Sequence, residues 1–205
     1  MNKLFKLKSK KINLDEFLTK NMHQSSRQLL KFTQRQKNYY TCSIASLIPI
    51  INFVYSKKLT SEKELLKSKA LRPFLKRFSE AGDNGIWGVS LREFSFMTKK
   101  VLEEYGIDAD LTPIFFKTPK EGEVTKYLKG LDHQTFIVAN FTSNFGIGHF
   151  SPVGGFDKKL GLVLIADTFH PEPYFVSVSS FIKGCSTKDG NSYRGILRIR
   201  INNHD

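Results

Sequence analysis

The sequence predicts an α+β protein, with a helical N-terminal half followed by a mostly antiparallel sheet. Three observations carry this. Residues Cys42 to Tyr55 form an almost unbroken apolar stretch of helix length. Ser90 and Glu93 form a helix-opening pair at capping-box spacing. Beyond residue 110 the pattern changes to short runs of β-branched and aromatic residues separated by turn residues.

In chain order, Leu14 to Lys31 is compatible with a weakly apolar helix. Cys42 to Tyr55 is apolar on nearly every face, which predicts a buried helix, and Pro49 inside it predicts a kink or a lost hydrogen bond. Thr60 to Phe78 reads as a charged amphipathic helix, and Ala81-Gly82-Asp83-Asn84-Gly85 as a loop. The capped helix runs from Ser90 to about Tyr105. Strands are expected at Thr135–Phe141, Phe150–Phe156, Gly161–Ala166, Tyr174–Val178 and Ile196–Ile201.

Composition narrows the function classes. The 205 residues are 40% hydrophobic, too apolar for a disordered chain. No apolar run approaches the roughly 20 residues that span a bilayer, and no secretory signal is evident, so a cytoplasmic location is the default expectation and export needs a route without a signal. Of the net charge of +13, residues 1–36 hold +7, from nine Lys/Arg against two acids. Such an arm suits an anionic surface or nucleic acid, or serves simply as a solvated leader. It lacks repeated aromatics for base stacking, so no specific nucleic acid is expected. Two cysteines permit one bridge at most and fit a reducing compartment.

Cys42 opens the buried helix, where free N–H groups and the positive end of the helix dipole favour a thiolate, the nucleophilic form. A small cysteine packed in a core is the plainer alternative. Cys185 reads as a loop residue without a partner. Among five histidines, His149 stands apart in Gly146-Ile-Gly-His-Phe-Ser-Pro-Val-Gly-Gly155, where small neighbours permit close approach of a substrate. A hairpin turning at residue 158 sets His149 opposite Asp167, on one face, where a carboxylate can orient an imidazole. A bulge at Gly154-Gly155 would move that register by one. Gln36, six residues before Cys42, is a candidate side-chain donor to an oxyanion, or else a plain loop glutamine.

These residues resemble the phytochelatin synthase catalytic domain, a papain-like cysteine peptidase fold. The resemblance rests on Gln36 with Tyr40-Thr-Cys42-Ser-Ile-Ala-Ser-Leu47, on Gly88-Val-Ser-Leu-Arg-Glu-Phe94, and on Gly148-His-Phe-Ser-Pro-Val-Gly-Gly-Phe156 continuing to Asp167. It implies a cysteine peptidase domain over 31–205, which leaves the basic segment read from the charge distribution as an arm over residues 1–30. It implies Cys42 as nucleophile, His149 as base, Asp167 as orienter and Gln36 as oxyanion donor. Arg194, with Gly148, is implied to bind substrate, the guanidinium taking a carboxylate.

The implied activity is cleavage of glycine from glutathione through a Cys acyl-enzyme. Water as acceptor gives γ-glutamylcysteine, and a second glutathione gives phytochelatin. Short bacterial members are generally hydrolases, so hydrolysis is the expectation. A papain-like peptidase or acyltransferase on another peptide or protein is the alternative, and a basic nucleic-acid or anionic-lipid binding module the second. No cofactor is required, and no metal site is expected. Heavy-metal ions enter only as part of a thiolate substrate. The partner is a small thiol peptide, with a homodimer possible. Ser43 stands where the family commonly has glycine, and the stretch after Asp167 lacks a family arginine.

Overall fold

A computed structural model describes residues 24–142, 147–170 and 172–202. The first helix, α1 (Gln24–Phe32), buries Leu29 and Phe32. Residues 1–23 of the basic arm lie outside the described residues. The buried helix α2 (Cys42–Val54) follows, then α3 (Glu62–Leu65), a 3₁₀ segment (Lys69–Phe78) and α4 (Leu91–Glu104). The remainder runs β1 (Ala109–Phe115), α5 (Glu121–Lys129), β2 (Thr135–Thr142), β3 (Gly148–Asp157), β4 (Leu162–Ile165), β5 (Tyr174–Ser177), α6 (Val178–Cys185), the short β6 (Lys188–Asp189) and β7 (Ser192–Tyr193), and β8 (Gly195–Ile201). The α+β expectation holds.

Six strands form one antiparallel sheet in the order β1-β8-β2-β3-β4-β5. Side chains alternate across a strand, and here both faces are covered. Phe136 and Val138 of β2, with Leu197 and Ile199 of β8, join α2 and α4 in one core. Ile137, Ala139 and Phe141 face a second core built with Val124 and Leu128 of α5 and Phe181 and Cys185 of α6. β2 is therefore buried on both sides and reads as a continuous apolar run.

The capping box forms as predicted: the Ser90 N–H donates to Glu93 Oε2 at 2.8 Å, and the Glu93 N–H donates to Ser90 Oγ at 3.3 Å. Helix α2 stays continuous through the buried Pro49, which lies about two turns beyond Cys42. The first turn is intact, with the Ala45 N–H donating to the Thr41 carbonyl at 2.8 Å.

Four expectations need correcting. Thr60–Phe78 is not one helix but α3 followed by a 3₁₀ segment containing Pro73, because proline cannot supply the N–H an α-helical ladder requires. β1 contains Pro113 and went unforeseen. It is an edge strand, where a missing donor is tolerated. Cys185 is not a loop residue but the fully buried last residue of α6, and burial pushes its thiol far up from the ordinary range. The fourth correction concerns the hairpin that carries His149.

Candidate active site

The β3–β4 hairpin pairs Asp157 with Leu162, not residues centred on 158. Its loop closes through Gly161 at φ +63°, and the Leu160 N–H donates to Asp157 Oδ1 at 2.9 Å. Between Val153 and Gly155 the register slips, as the paired glycines suggested, and Gly154 is the extra residue. Beyond the bulge Val153 pairs with Ile165, a register that would carry His149 opposite Phe169 rather than Asp167. Asp167 reaches His149 by another route. The strand ends at Ile165, and the chain turns so that Asp167 Oδ1 accepts from the Phe169 N–H at 2.7 Å and the His170 N–H at 3.3 Å. This Asx turn aims the carboxylate back across the strand end.

There His149 Nε2 stands 2.9 Å from Asp167 Oδ1. Both residues are buried, with the Asp167 side chain 2% exposed. Ser151 Oγ lies 3.0 Å from the same nitrogen, and Phe141 packs edge-on against the imidazole. The Cys42 thiol stands close enough to the ring to act on its protonation. With Nε2 engaged by the carboxylate, Nδ1 is the nitrogen left for the thiol.

The electrostatics follow from this arrangement. Burial opposes charge on His149, but the hydrogen bonds and charges of Asp167 and Cys42 outweigh it and raise His149 from 6.5 to about 9. Burial likewise opposes ionisation of Asp167. Its bond to His149, the imidazolium charge, the Phe169 N–H and the Tyr174 hydroxyl overcome it and lower Asp167 from 3.8 to about 2. Tyr174, half-buried beside that carboxylate, is pushed well up by desolvation and the neighbouring charge and stays a neutral donor. At neutral pH the imidazolium stands between a carboxylate and the Cys42 sulfur.

The Cys42 side is built from a loop. Cys42 is half-buried at the first position of α2. Gln36 is buried, and its backbone N–H donates to the Thr168 carbonyl at 2.7 Å while Oε1 accepts from the Thr168 hydroxyl at 3.2 Å. Its Nε2 donates to the carbonyls of Asn38 and Tyr39, each at 2.9 Å. Gln36 thus ties the loop before Cys42 to the residue after Asp167. Both of its amide protons are engaged inside the loop, so serving an oxyanion requires one of them to swing free.

Arg194 is buried, with Nη1 donating to Asn140 Oδ1 at 2.9 Å and Nη2 pairing with Asp189 at 3.2 Å. Its guanidinium lies across Gly148, where a Cβ would come within 2.8 Å of Cζ. These contacts explain why position 148 is glycine. The buried Nε–H has no hydrogen-bond partner, and each terminal nitrogen keeps a second N–H beyond the bond named.

Other residues at this site escaped the sequence reading. Glu62 is buried and faces the loop before Cys42. Trp87 is 49% exposed, stacks on Tyr40 at 5.8 Å and 22°, and donates its indole N–H to the Glu80 carbonyl. On the other flank, Phe169 meets both Tyr39 and His149 edge-on. Trp87 as the single tryptophan, in a loop two residues from Val89, was the available signal. Among the described residues, no group of three or more His, Cys, Asp or Glu is placed to hold a metal ion, and no helix is long and apolar enough to cross a membrane.

The phytochelatin synthase family profile matches residues 3–196. The chain belongs to this family. Its fold is α+β, with the cysteine on a helix, the histidine on a strand and one antiparallel six-stranded sheet, and membership of this family makes it a cysteine peptidase or transferase. Similar solved structures include the peptidase domain of Streptococcus ComA, a bifunctional ABC transporter in quorum sensing. That likeness has 14% identity and a TM-score of 0.49, covering 82% of this chain and 96% of that one. Another is the Pseudomonas avirulence protein AvrPphB, at 13% identity and a TM-score of 0.35, covering 84% and 98%. No curated protein matches the sequence. The assignment rests on the family profile.

Proposed function

We propose that the protein cleaves glycine from glutathione by acyl transfer to Cys42, and that water is the usual acceptor. The observation that carries this reading is the buried imidazole of His149, held at 2.9 Å by Asp167 with the Cys42 thiol near it. Family membership supports the substrate.

In this mechanism the Cys42 thiolate attacks the carbonyl carbon of the Cys–Gly peptide bond. Negative charge moves to the carbonyl oxygen, which the Cys42 N–H and a freed Gln36 amide receive. His149 delivers its proton to the departing nitrogen, glycine leaves, and a γ-glutamylcysteinyl thioester remains. Water then enters, His149 takes one of its protons, and the resulting hydroxide attacks the thioester. γ-Glutamylcysteine leaves and the thiolate returns. Asp167 remains ionised throughout, fixing the ring and steadying its charge. A thiol in place of water at the second stage would give transpeptidation, and a metal ion bound to that thiol would arrive as part of the substrate.

One observation favours a broader substrate range. Trp87, Tyr39 and Ile86 are all about half exposed near the nucleophile's loop, an apolar rim suited to a longer or bulkier peptide. Mass spectrometry of glycine and γ-glutamylcysteine after incubation with glutathione tests the main reading. Equimolar release of both supports it. No release, together with cleavage of a longer peptide, moves the assignment to the broader range.

A further inference from the structure

The loop between Gln36 and Cys42 is organised by a buried acid from elsewhere in the chain. Glu62, 3% exposed at the start of α3, accepts the Lys37 N–H on Oε2 at 2.7 Å. On Oε1 it accepts the Asn38 N–H at 3.2 Å and the Asn38 side-chain amide at 2.9 Å. The Thr41 hydroxyl is 2.8 Å from the same oxygen and 2.7 Å from the Asn38 carbonyl, its single proton shared between them. All these donors are neutral and all come from the five residues before Cys42. A buried carboxylate is costly unless its lone pairs are filled, and this one is filled entirely by the loop.

Gln36 grips the same loop from the other side, through the carbonyls of Asn38 and Tyr39. The segment is thus fixed on opposite edges, N–H groups by Glu62 and carbonyls by Gln36. What hangs on it is the backbone N–H of Cys42 and the Gln36 amide itself, the two donors assigned to the oxyanion.

We infer that Glu62 is a positioning residue for acyl transfer, holding the pre-nucleophile loop so that the oxyanion donors converge beside Cys42. This rests on the reading of Cys42 as nucleophile. In Glu62→Gln the new NH₂ must face an N–H or hydroxyl donor, so the loop loses an acceptor and gains a repulsion. Misplacing reacting groups by about 1 Å costs up to roughly 10²-fold in rate.

The test separates acyl transfer from thiol reactivity. The p-nitrophenolate burst from p-nitrophenyl acetate reports acylation of Cys42, which needs the oxyanion donors. Alkylation by iodoacetamide reports the thiolate alone, which does not. The expectation for Glu62→Gln is an acylation rate down about 10- to 100-fold with little change in alkylation. Asn38→Ala, which removes one donor and leaves the carboxylate, shifts acylation in the same direction by less. If Glu62→Gln does not fold, Asn38→Ala and Thr41→Val carry the test alone. Equal loss of both reactions in every folded variant, or no loss of acylation, overturns the inference. A burst that persists in Cys42→Ala instead overturns the nucleophile assignment beneath it.

Discussion

The two halves of the site are held in different ways. On the histidine side, a buried ion pair of Asp167 and His149, with the neutral Tyr174 hydroxyl acting on the carboxylate, is mounted on strand ends. On the cysteine side the reacting groups are a sulfur and a backbone N–H, and their support is a loop clamped between Gln36 and Glu62. The first half is an electrostatic device and the second a geometric one. Damage to the first should change which proton state is active. Damage to the second should change rate without moving the pH profile.

Asp167→Asn is expected to have the largest effect of the variants that spare Cys42, lowering the acyl-transfer rate by roughly 10²- to 10⁴-fold. The variant also removes a contribution that raises His149, so the alkaline limb of the pH–rate profile, expected near 9, moves to lower pH. Stability follows with a definite sign. The contribution of His149 is complete below 6.5 and fades as pH rises through about 9. That of Asp167 is complete above 3.8 and fades as pH falls through about 2. Thermal melts of native protein against Asp167→Asn should differ most between pH 3.8 and 6.5, where both contributions are whole. A pH-independent difference would mean that the pair is not ionised as described.

Gln36→Ala tests the other half, with an expected loss of about 10²- to 10³-fold in acylation and an alkaline limb left in place. A moved limb would break the division between the two sides. Gly148→Ala should act through packing: the added methyl meets the buried Arg194 guanidinium and costs about 1–3 kcal/mol of stability, read as a lower Tm. Trp87→Ala should be mildest, raising KM roughly two- to tenfold through loss of an aromatic contact worth about 0.5–1.5 kcal/mol, with kcat little changed.

The parts of the site and fold that were legible carry local signals. Cys42 at a helix start, His149 among glycines and the capped helix at Ser90 each show in a short window. Asp167 was found with the wrong geometry. The hairpin register differs from the assumed one, and the contact depends on an Asx turn past the strand end. α6 was missed although Ser177 caps it and Val178, Phe181 and Cys185 keep helical spacing, because the strand signal of Tyr174–Ser177 runs straight into it. Glu62 had no local signal at all. An acid in the first turn of a helix ordinarily faces water and the helix dipole. Only the tertiary fold brings it to a loop more than twenty residues earlier in the chain.

The central claim is a covalent γ-glutamylcysteinyl enzyme on Cys42, and rapid acid quenching followed by peptide mass spectrometry observes it directly. After mixing with glutathione, the account predicts that adduct on the peptide containing Cys42, its decay as γ-glutamylcysteine accumulates, and its absence in Cys42→Ala. Glycine release with no adduct on Cys42 at any quench time, continuing undiminished in Cys42→Ala, would contradict it.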